Sequence, residues 1–282
     1  MKIEKELENR KNSFIKYCLD YEDRIPDNLP IIRQGNKLEA ILVEFRVLIH
    51  LEFIIKNAIL KLGSKWSFTI VCGNQNRFMI DKIKSNLDRD IKIINLPVEN
   101  LTREEYSVML MKSSFYRKFL GKKLLFMQED SLVFKNLPEK FLQYDYIGAP
   151  FSNKNVGNGG LSLRSKDIMI KICEKYFDIH NDKRMKYASI LRKYKPQIEE
   201  KYGKKYFNNS NLLYIYRLEL ELIEDYNISK IMREKNIGKV PDWNLATEFS
   251  IEKYYHPDSF GCHQPWYCIP NLYQWLVHKF NY

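Results

Sequence analysis

Residues 122–134 read KKLLFMQEDSLVF, an apolar run interrupted by an amide and two acids. An unpaired carboxylate is costly to bury, so Gln128-Glu129-Asp130 either surface in a turn or face a cation. Carboxylates at a strand end suit Mg²⁺ or Mn²⁺, which take oxygen ligands and need few from the protein when phosphates and water supply the rest. One residue separates Gln128 from Asp130, so on an extended strand both would point to the same side. The plainer alternative is an exposed turn with its acids in solvent.

Three other stretches carry chemical potential. In NVGNGGLSLRS three glycines fall within four residues, allowing positive φ and a close backbone approach to a ligand. The spacing is neither that of a P-loop nor that of a dinucleotide fingerprint opening a helix. A flexible turn explains the glycines but not the company of Asn158 and Arg164. In FGCHQPW, His263 can complete a Mn²⁺ site or bond a phosphate. His256 and Asp258 compete for that role, and a structural histidine is the simpler alternative. Glu224-Asp225 end an acidic run, LELELIEDYNIS, and are candidates for a general base acting on a hydroxyl.

The elements that must position these residues alternate. EAILVEF, WSFTIVCG, IKIINLP and KKLLFMQED read as strands. HLEFIIKNAILKLG, stopping at Gly63, NRFMIDKIKSNL and REEYSVMLMKSSFYRKFL read as helices. This order predicts an α/β fold: a mostly parallel central sheet with helices on both faces. Ligands bind such sheets beyond the carboxyl ends of the strands. Glu44/Arg46, Gly73-Asn74-Gln75, the Leu96-Pro97 turn and Gln128-Glu129-Asp130 all fall at or near those ends. YDYIGAPF and LSLR predict further strands, with a helix capped by Ser165. A helix-rich, less regular half follows, with helix over 183–236 broken at Pro196 and Gly203. The expected organisation is an N-terminal helical extension, 1–37, amphipathic or frayed and outside the main fold, and one domain over 38–282. That domain divides into a nucleotide-binding half, 38–135, and an acceptor-binding half, 136–282.

Composition narrows the partners. With 46 Lys and Arg against 35 Asp and Glu, the net charge of +11 favours anionic partners. The bases are dispersed, and the densest cluster, LRKYKPQIEEKYGKK, reads as a solvated helical face. No contiguous basic stripe with aromatics argues for nucleic acid. Five cysteines without a CxxC argue for a reducing compartment. The longest apolar stretch, ILVEFRVLIHLEFIIKNAIL, carries Glu44, Arg46, Glu52 and Lys56 and does not suit a membrane span. The expectation is a soluble cytoplasmic protein, with peripheral attachment to a membrane left open. YQWLVHKF is a candidate apolar docking surface, and the oligomeric state is not legible.

LLFMQEDSLVF, YDYIGAPF, VGNGGLSLRS, EDYNIS, ATEFSIE and FGCHQPW, in that order, resemble a glycosyltransferase family described mainly as a domain of unknown function. Its fold is the nucleotide-diphospho-sugar (GT-A) type. LVEFR and HLEFIIKN match its opening, and the resemblance runs from about Ala40 to Trp266. It implies transfer of a sugar from a nucleotide-sugar donor, UDP-linked by default, to a glycan or other hydroxyl acceptor, assisted by Mn²⁺ or Mg²⁺. Its metal motif, a variant of Asp-x-Asp, falls on Gln128-Glu129-Asp130, with glutamine in the first place. Asp130 becomes the direct metal ligand, assisted by Glu129 and Gln128, with His263 as a further ligand. Gln264 stands where other GT-A enzymes carry a phosphate-binding lysine. Glu44, Arg46 and Asn74 are assigned to the nucleotide, Asn158, Gly159 and Gly160 to the sugar or acceptor. Glu224 or Asp225 is the base if the reaction inverts. The rival expectation is a catalytically inert sugar- or nucleotide-binding module on the same scaffold.

Overall fold

Aliphatic and β-branched runs bounded by turn formers become strands. The computed structural model describes residues 2–151, 155–202 and 217–280. Its strands are β1 (Leu38–Val43), β2 (Trp66–Cys72), β3 (Ile91–Asn95), β4 (Lys123–Met127), β5 (Ser131–Val133), β6 (Tyr146–Gly148), β7 (Leu161–Ser165), β8 (Ser250–Ile251) and β9 (Gly261–His263). The helices used below are α1 (Lys2–Tyr21), α2 (Leu51–Leu62), α3 (Arg77–Leu87), α4 (Arg103–Leu110), α5 (Ser113–Tyr116), α6 (Lys166–Ile172), α7 (Asn181–Tyr202), α8 (Glu224–Glu234), α9 (Trp243–Phe249) and α10 (Leu272–Phe280).

A six-stranded sheet has the order β3-β2-β1-β4-β7-β6, and a three-stranded sheet the order β5-β9-β8. Strands β1 to β4 are mutually parallel, whereas β7 runs antiparallel to β4 with Leu161 opposite Met127. The loop entering β7 therefore opens at the edge where the parallel strands end. Strand alternation feeds two cores. Ala40, Leu42, Leu125 and Met127 pack with α1, α2, α3 and α10. Ile41, Val43, Leu124 and Phe126 pack with α4, α5, α6 and α8 on the opposite face. The expected α/β class, with a mostly parallel sheet covered on both faces, is what forms.

Several local expectations change. The N-terminal helix is amphipathic but not outside the main fold. Phe14, Tyr17, Cys18 and Tyr21 of α1 are buried in the first core, and Tyr17 makes an edge contact with Tyr273 of α10. Its charged residues form only the outer face. The same packing buries Leu272, Leu276 and Phe280, so the YQWLVHKF segment spends its apolar side internally rather than as a docking surface. Helix α7 runs through Pro196, forgoing the one hydrogen bond that a proline nitrogen cannot donate. Gly203, the other expected break, lies outside the described residues. Ser165 precedes α6 without capping it, because its hydroxyl donates to Asp145 and accepts from Lys123. Among the described residues no helix is long and apolar enough to cross a membrane.

One side chain ties the small sheet to the helical layer. The Asn57 amide on α2 donates to the Val133 carbonyl at 3.1 Å and accepts the Val133 N–H at 3.0 Å. It stands in for a neighbouring strand at the free edge of β5. Replacing Asn57 with Leu leaves two buried backbone groups unpaired, each worth about 1–3 kcal/mol. Urea denaturation of Asn57→Leu is expected to show a lowered midpoint with an unchanged slope; a midpoint equal to wild type would refute this role.

Candidate functional site

The acidic triplet sits where the chain changes sheets. The Gln128 N–H donates to the Gly160 carbonyl at 3.0 Å, extending the β4–β7 ladder by one bond. The Ser131 N–H then closes a turn onto the Gln128 carbonyl at 3.1 Å, and β5 begins. The triplet is thus a turn and not an extended strand, and the expected same-side arrangement of Gln128 and Asp130 does not hold. Gln128 faces a cleft, with its amide 3.5 Å from the Tyr106 hydroxyl. Glu129 turns to the Arg46 guanidinium at 2.7 Å. Asp130 turns inward, with Oδ1 3.3 Å from His263 Nε2 and Oδ2 accepting from the Gln264 amide at 2.8 Å. Antiparallel pairing of Ser131 with His263 makes this meeting a consequence of register.

The cleft has a volume of about 660 Å³ and is lined by Gln128, Asn158, Gly159, Gly160, Glu224, Asp225, Glu252 and His263, together with Arg103, Tyr106, Lys253 and Tyr267. The glycine loop is held by polar contacts. Asn158 Oδ1 accepts the Gly160 N–H at 2.9 Å, and Asp225 Oδ2 accepts the Gly159 N–H at 2.9 Å. A Cβ on Gly160 would lie 2.2–2.4 Å from three atoms of the His263 imidazole, so this glycine is required for close approach.

Glu224 and Asp225 open α8 rather than ending an acidic helix. Glu224 is buried and pairs with Arg164, a guanidinium with no exposed surface. Arg164 also donates to the Tyr116 hydroxyl at 2.9 Å and to Ser162, and it lies over the rings of Phe126 at 4.6 Å and Tyr146 at 5.1 Å. Burial pushes the Glu224 carboxyl up to about 7, although Arg164 opposes the shift. That value suits a proton acceptor near neutral pH.

Beside it lies an acid–imidazole cluster. Burial acts against the Asp130 carboxylate, yet His263 holds it below the usual range. Burial equally disfavours a charged His263, but Asp130, with Glu252 and Glu129 behind it, holds the imidazole up at about 9. Burial raises Glu129 to about 7, helped by Asp130 and opposed by Arg46. Among the described residues, Asp130 Oδ1 and both His263 nitrogens are buried without a hydrogen-bond partner. Among the described residues no three His, Cys, Asp or Glu side chains form a ready-made metal centre. The adjacent oxygen and nitrogen donors nevertheless fit a cation that draws its other ligands from phosphate and water.

Not every expected site residue joins this cleft: Glu129 and Asp130 do not line it, although Asp130 touches His263, which does. Glu44 and Arg46, at the end of β1, bond chiefly to each other at 2.8 and 2.6 Å and reach the turn only through Glu129. Asn74, after β2, bonds to Val98, Glu99 and Asn95 and does not line the cleft. His256 accepts the Asp258 N–H at 3.2 Å, a local turn contact. Sequence reasoning missed Glu252 and gave Arg164 no role. The available signal for Glu252 was an acid directly after a short apolar strand, the pattern that had drawn attention to Asp130.

Breaking a buried ion pair by removing one partner costs about 3–5 kcal/mol, whereas apolar replacement of both can be nearly neutral. Arg164→Met is therefore expected to lose about that much stability, and Arg164→Met/Glu224→Leu to regain most of it. Chemical denaturation of the four proteins in the cycle checks this; additive losses would show that the pair is not coupled.

The family described as "Protein of unknown function (DUF5672)" matches residues 90–263. No curated protein matches. Solved structures with some likeness include an inositol-1-phosphate CTP transferase from T. maritima, 14% identical, covering 49% of this chain and 74% of that one, TM-score 0.34. The glycosyltransferase GlyE in Streptococcus pneumoniae TIGR4 is 12% identical, covering 73% and 65%, TM-score 0.39. A Pyrobaculum calidifontis mannosyltransferase in complex with GDP-Man and Mn²⁺ is 9% identical, covering 60% and 57%, TM-score 0.36. This chain thus spans less than two thirds of the last two. Likeness of that degree carries no argument about activity. The sequence match is of another kind: it takes in more than half of the 282 residues, from β3 through β9, and the chain belongs to the DUF5672 family.

Proposed function

We propose that the protein is a glycosyltransferase with a GT-A-like fold, moving a sugar from a nucleotide-diphosphate donor to an acceptor hydroxyl. The observation that carries this reading is the convergence on one cleft of four separate stretches. They are the turn after β4, the glycine loop before β7, the start of α8 and the end of β9. Such a constellation supplies what the reaction needs. The leaving diphosphate gains negative charge as the sugar becomes electron-poor, and a fixed, water-poor site stabilises that charge best. Asp130 and His263 would hold a divalent cation, which when bound supplies charge neutralisation at the diphosphate.

The chain's own groups do the rest. Asn158, Gly159 and Gly160 offer backbone and amide contacts along one wall, where the absence of side chains lets a sugar come close. Glu224 takes the acceptor proton in an inverting reaction. Its Oε1 is tied to Arg164, which fixes the carboxylate, while Oε2 faces the Gly159 wall. Asp225 spends its oxygens on the N–H groups of Gly159 and Tyr226, and so shapes the loop. Gln128 contributes an amide rather than a charge to the donor side. Glu129, Glu44 and Arg46 brace the turn from behind.

A second reading has one observation in its favour: an inert binding module would leave the Glu224 charge fully committed to Arg164. Two measurements separate the readings. Thermal shift with nucleoside diphosphates, with and without Mn²⁺, followed by donor hydrolysis, is expected to give metal-dependent stabilisation together with turnover. Metal-independent binding without turnover would establish the inert module. A base must be ionised, so turnover is expected to rise as pH climbs through about 7. Glu224→Gln is expected to lose that limb and about 10²–10⁴-fold in rate while still binding the donor.

A further inference from the structure

The proposed reading leaves Glu252 without a role. It follows β8 directly, in a parallel register that pairs Ser250 with Gly261 and Ile251 with Cys262. Continuing that register by one residue sets Glu252 beside His263, while Ser131 faces His263 from the other flank of β9. His263 thereby lies between Glu252 on one flank and Asp130, the residue before Ser131, on the other. Its two contacts use different nitrogens of the ring. Nε2 lies 3.3 Å from Asp130 Oδ1, and Nδ1 lies 4.0 Å from Glu252 Oε1. The third side is closed by Gly160, whose missing Cβ leaves room for the ring.

Glu252 is also among the least expected residues to find buried. Its exposure is 6%, and its Oε2, like His263 Nδ1, has no hydrogen-bond partner among the described residues. Two complementary buried groups within a side-chain rotation of each other have strong reason to pair, since each is otherwise left unsatisfied. An imidazole that presents one nitrogen to a ligand commonly donates its other N–H to a carboxylate, which fixes both tautomer and ring orientation. We propose that Glu252 is a positioning residue: it accepts the Nδ1–H of His263 and so keeps the Nε2 lone pair aimed at the space beside Asp130. This rests on the reading of Asp130 and His263 as cation ligands, and it adds the group that orients one of them. It also separates Glu252 from Glu129, whose carboxylate is turned to Arg46 on the far side of the turn.

The two ideas can fail separately. Nitrogen-15 NMR of the metal-free protein, at a pH above the titration of His263, reports the neutral tautomer directly. Wild type and Glu252→Gln, which retains an acceptor oxygen, are expected to show the Nδ1–H form. Glu252→Ala is expected to lose that preference while keeping the wild-type backbone spectrum. An Nε2–H ring in wild type, or an unaltered tautomer in Glu252→Ala, overturns the proposal. Mn²⁺ titration by calorimetry gives the second readout. Glu252→Ala is expected to weaken the ion about 10–100-fold, with Glu252→Gln much closer to wild type. Wild type that binds no Mn²⁺, yet shows the Nδ1–H form governed by Glu252, would refute the cation reading and leave the positioning role intact. Equal Mn²⁺ affinity in wild type and Glu252→Ala would refute the positioning role alone.

Discussion

The passage of the chain from one sheet to another at Gln128-Glu129-Asp130 is the constraint on which the site depends. A parallel strand that simply ended there would send its acids into solvent. Instead β4 is extended by the bond from the Gln128 N–H to the Gly160 carbonyl, the turn closes onto Ser131, and β5 pairs with β9. Backbone hydrogen bonding alone therefore determines that Asp130 meets His263, residues more than a hundred positions apart. Such ladders are worth more as geometry than as net energy, because an unpaired buried backbone group is what the fold must avoid.

Around that junction the protein accumulates buried charge, and it does so in pairs. Arg164 and Glu224 lie against Gly159, and His263, between Asp130 and Glu252, lies against Gly160. Buried pairs are weak evidence for stability, since desolvation offsets most of their attraction. They do hold their members in one arrangement at the wall of a cleft. The aromatic rings over Arg164 serve the same end, giving a guanidinium without solvent access a second set of partners. Glycine is the counterpart of this crowding. Gly160 leaves the space that the imidazole fills, and any larger residue would displace the ring.

Much of the framework was legible because strand and helix periodicities are local. EAILVEF, WSFTIVCG, IKIINLP and KKLLFMQED alternate between two cores as their β-branched and aliphatic residues require, and Gly63 ends α2 with positive φ. The failures share a cause as well. Ser165 carries a strong local signal that its contacts with Asp145 and Lys123 overrode, and α7 runs on through Pro196. The charged first helix looked detachable because a single buried stripe is diluted by the lysines and glutamates around it. Glu44 and Arg46 stand at a strand end as expected, yet they satisfy each other; nothing in the spacing of two residues tells a ligand contact from an internal ion pair.

By itself the sequence determined an α/β chain with a mostly parallel sheet, and it singled out Gln128 to Asp130, the glycine loop, Glu224-Asp225 and His263 as chemically able. Periodicity and residue type suffice for that, being properties of neighbours along the chain. Only the tertiary structure decided which of them meet. It brought Asp130 to His263, turned Glu129 away to Arg46, committed Glu224 to Arg164 and introduced Glu252. The reason is that strand register and sheet order are set by long-range backbone pairing, and a turn of three residues can send three carboxamide or carboxylate groups in three directions.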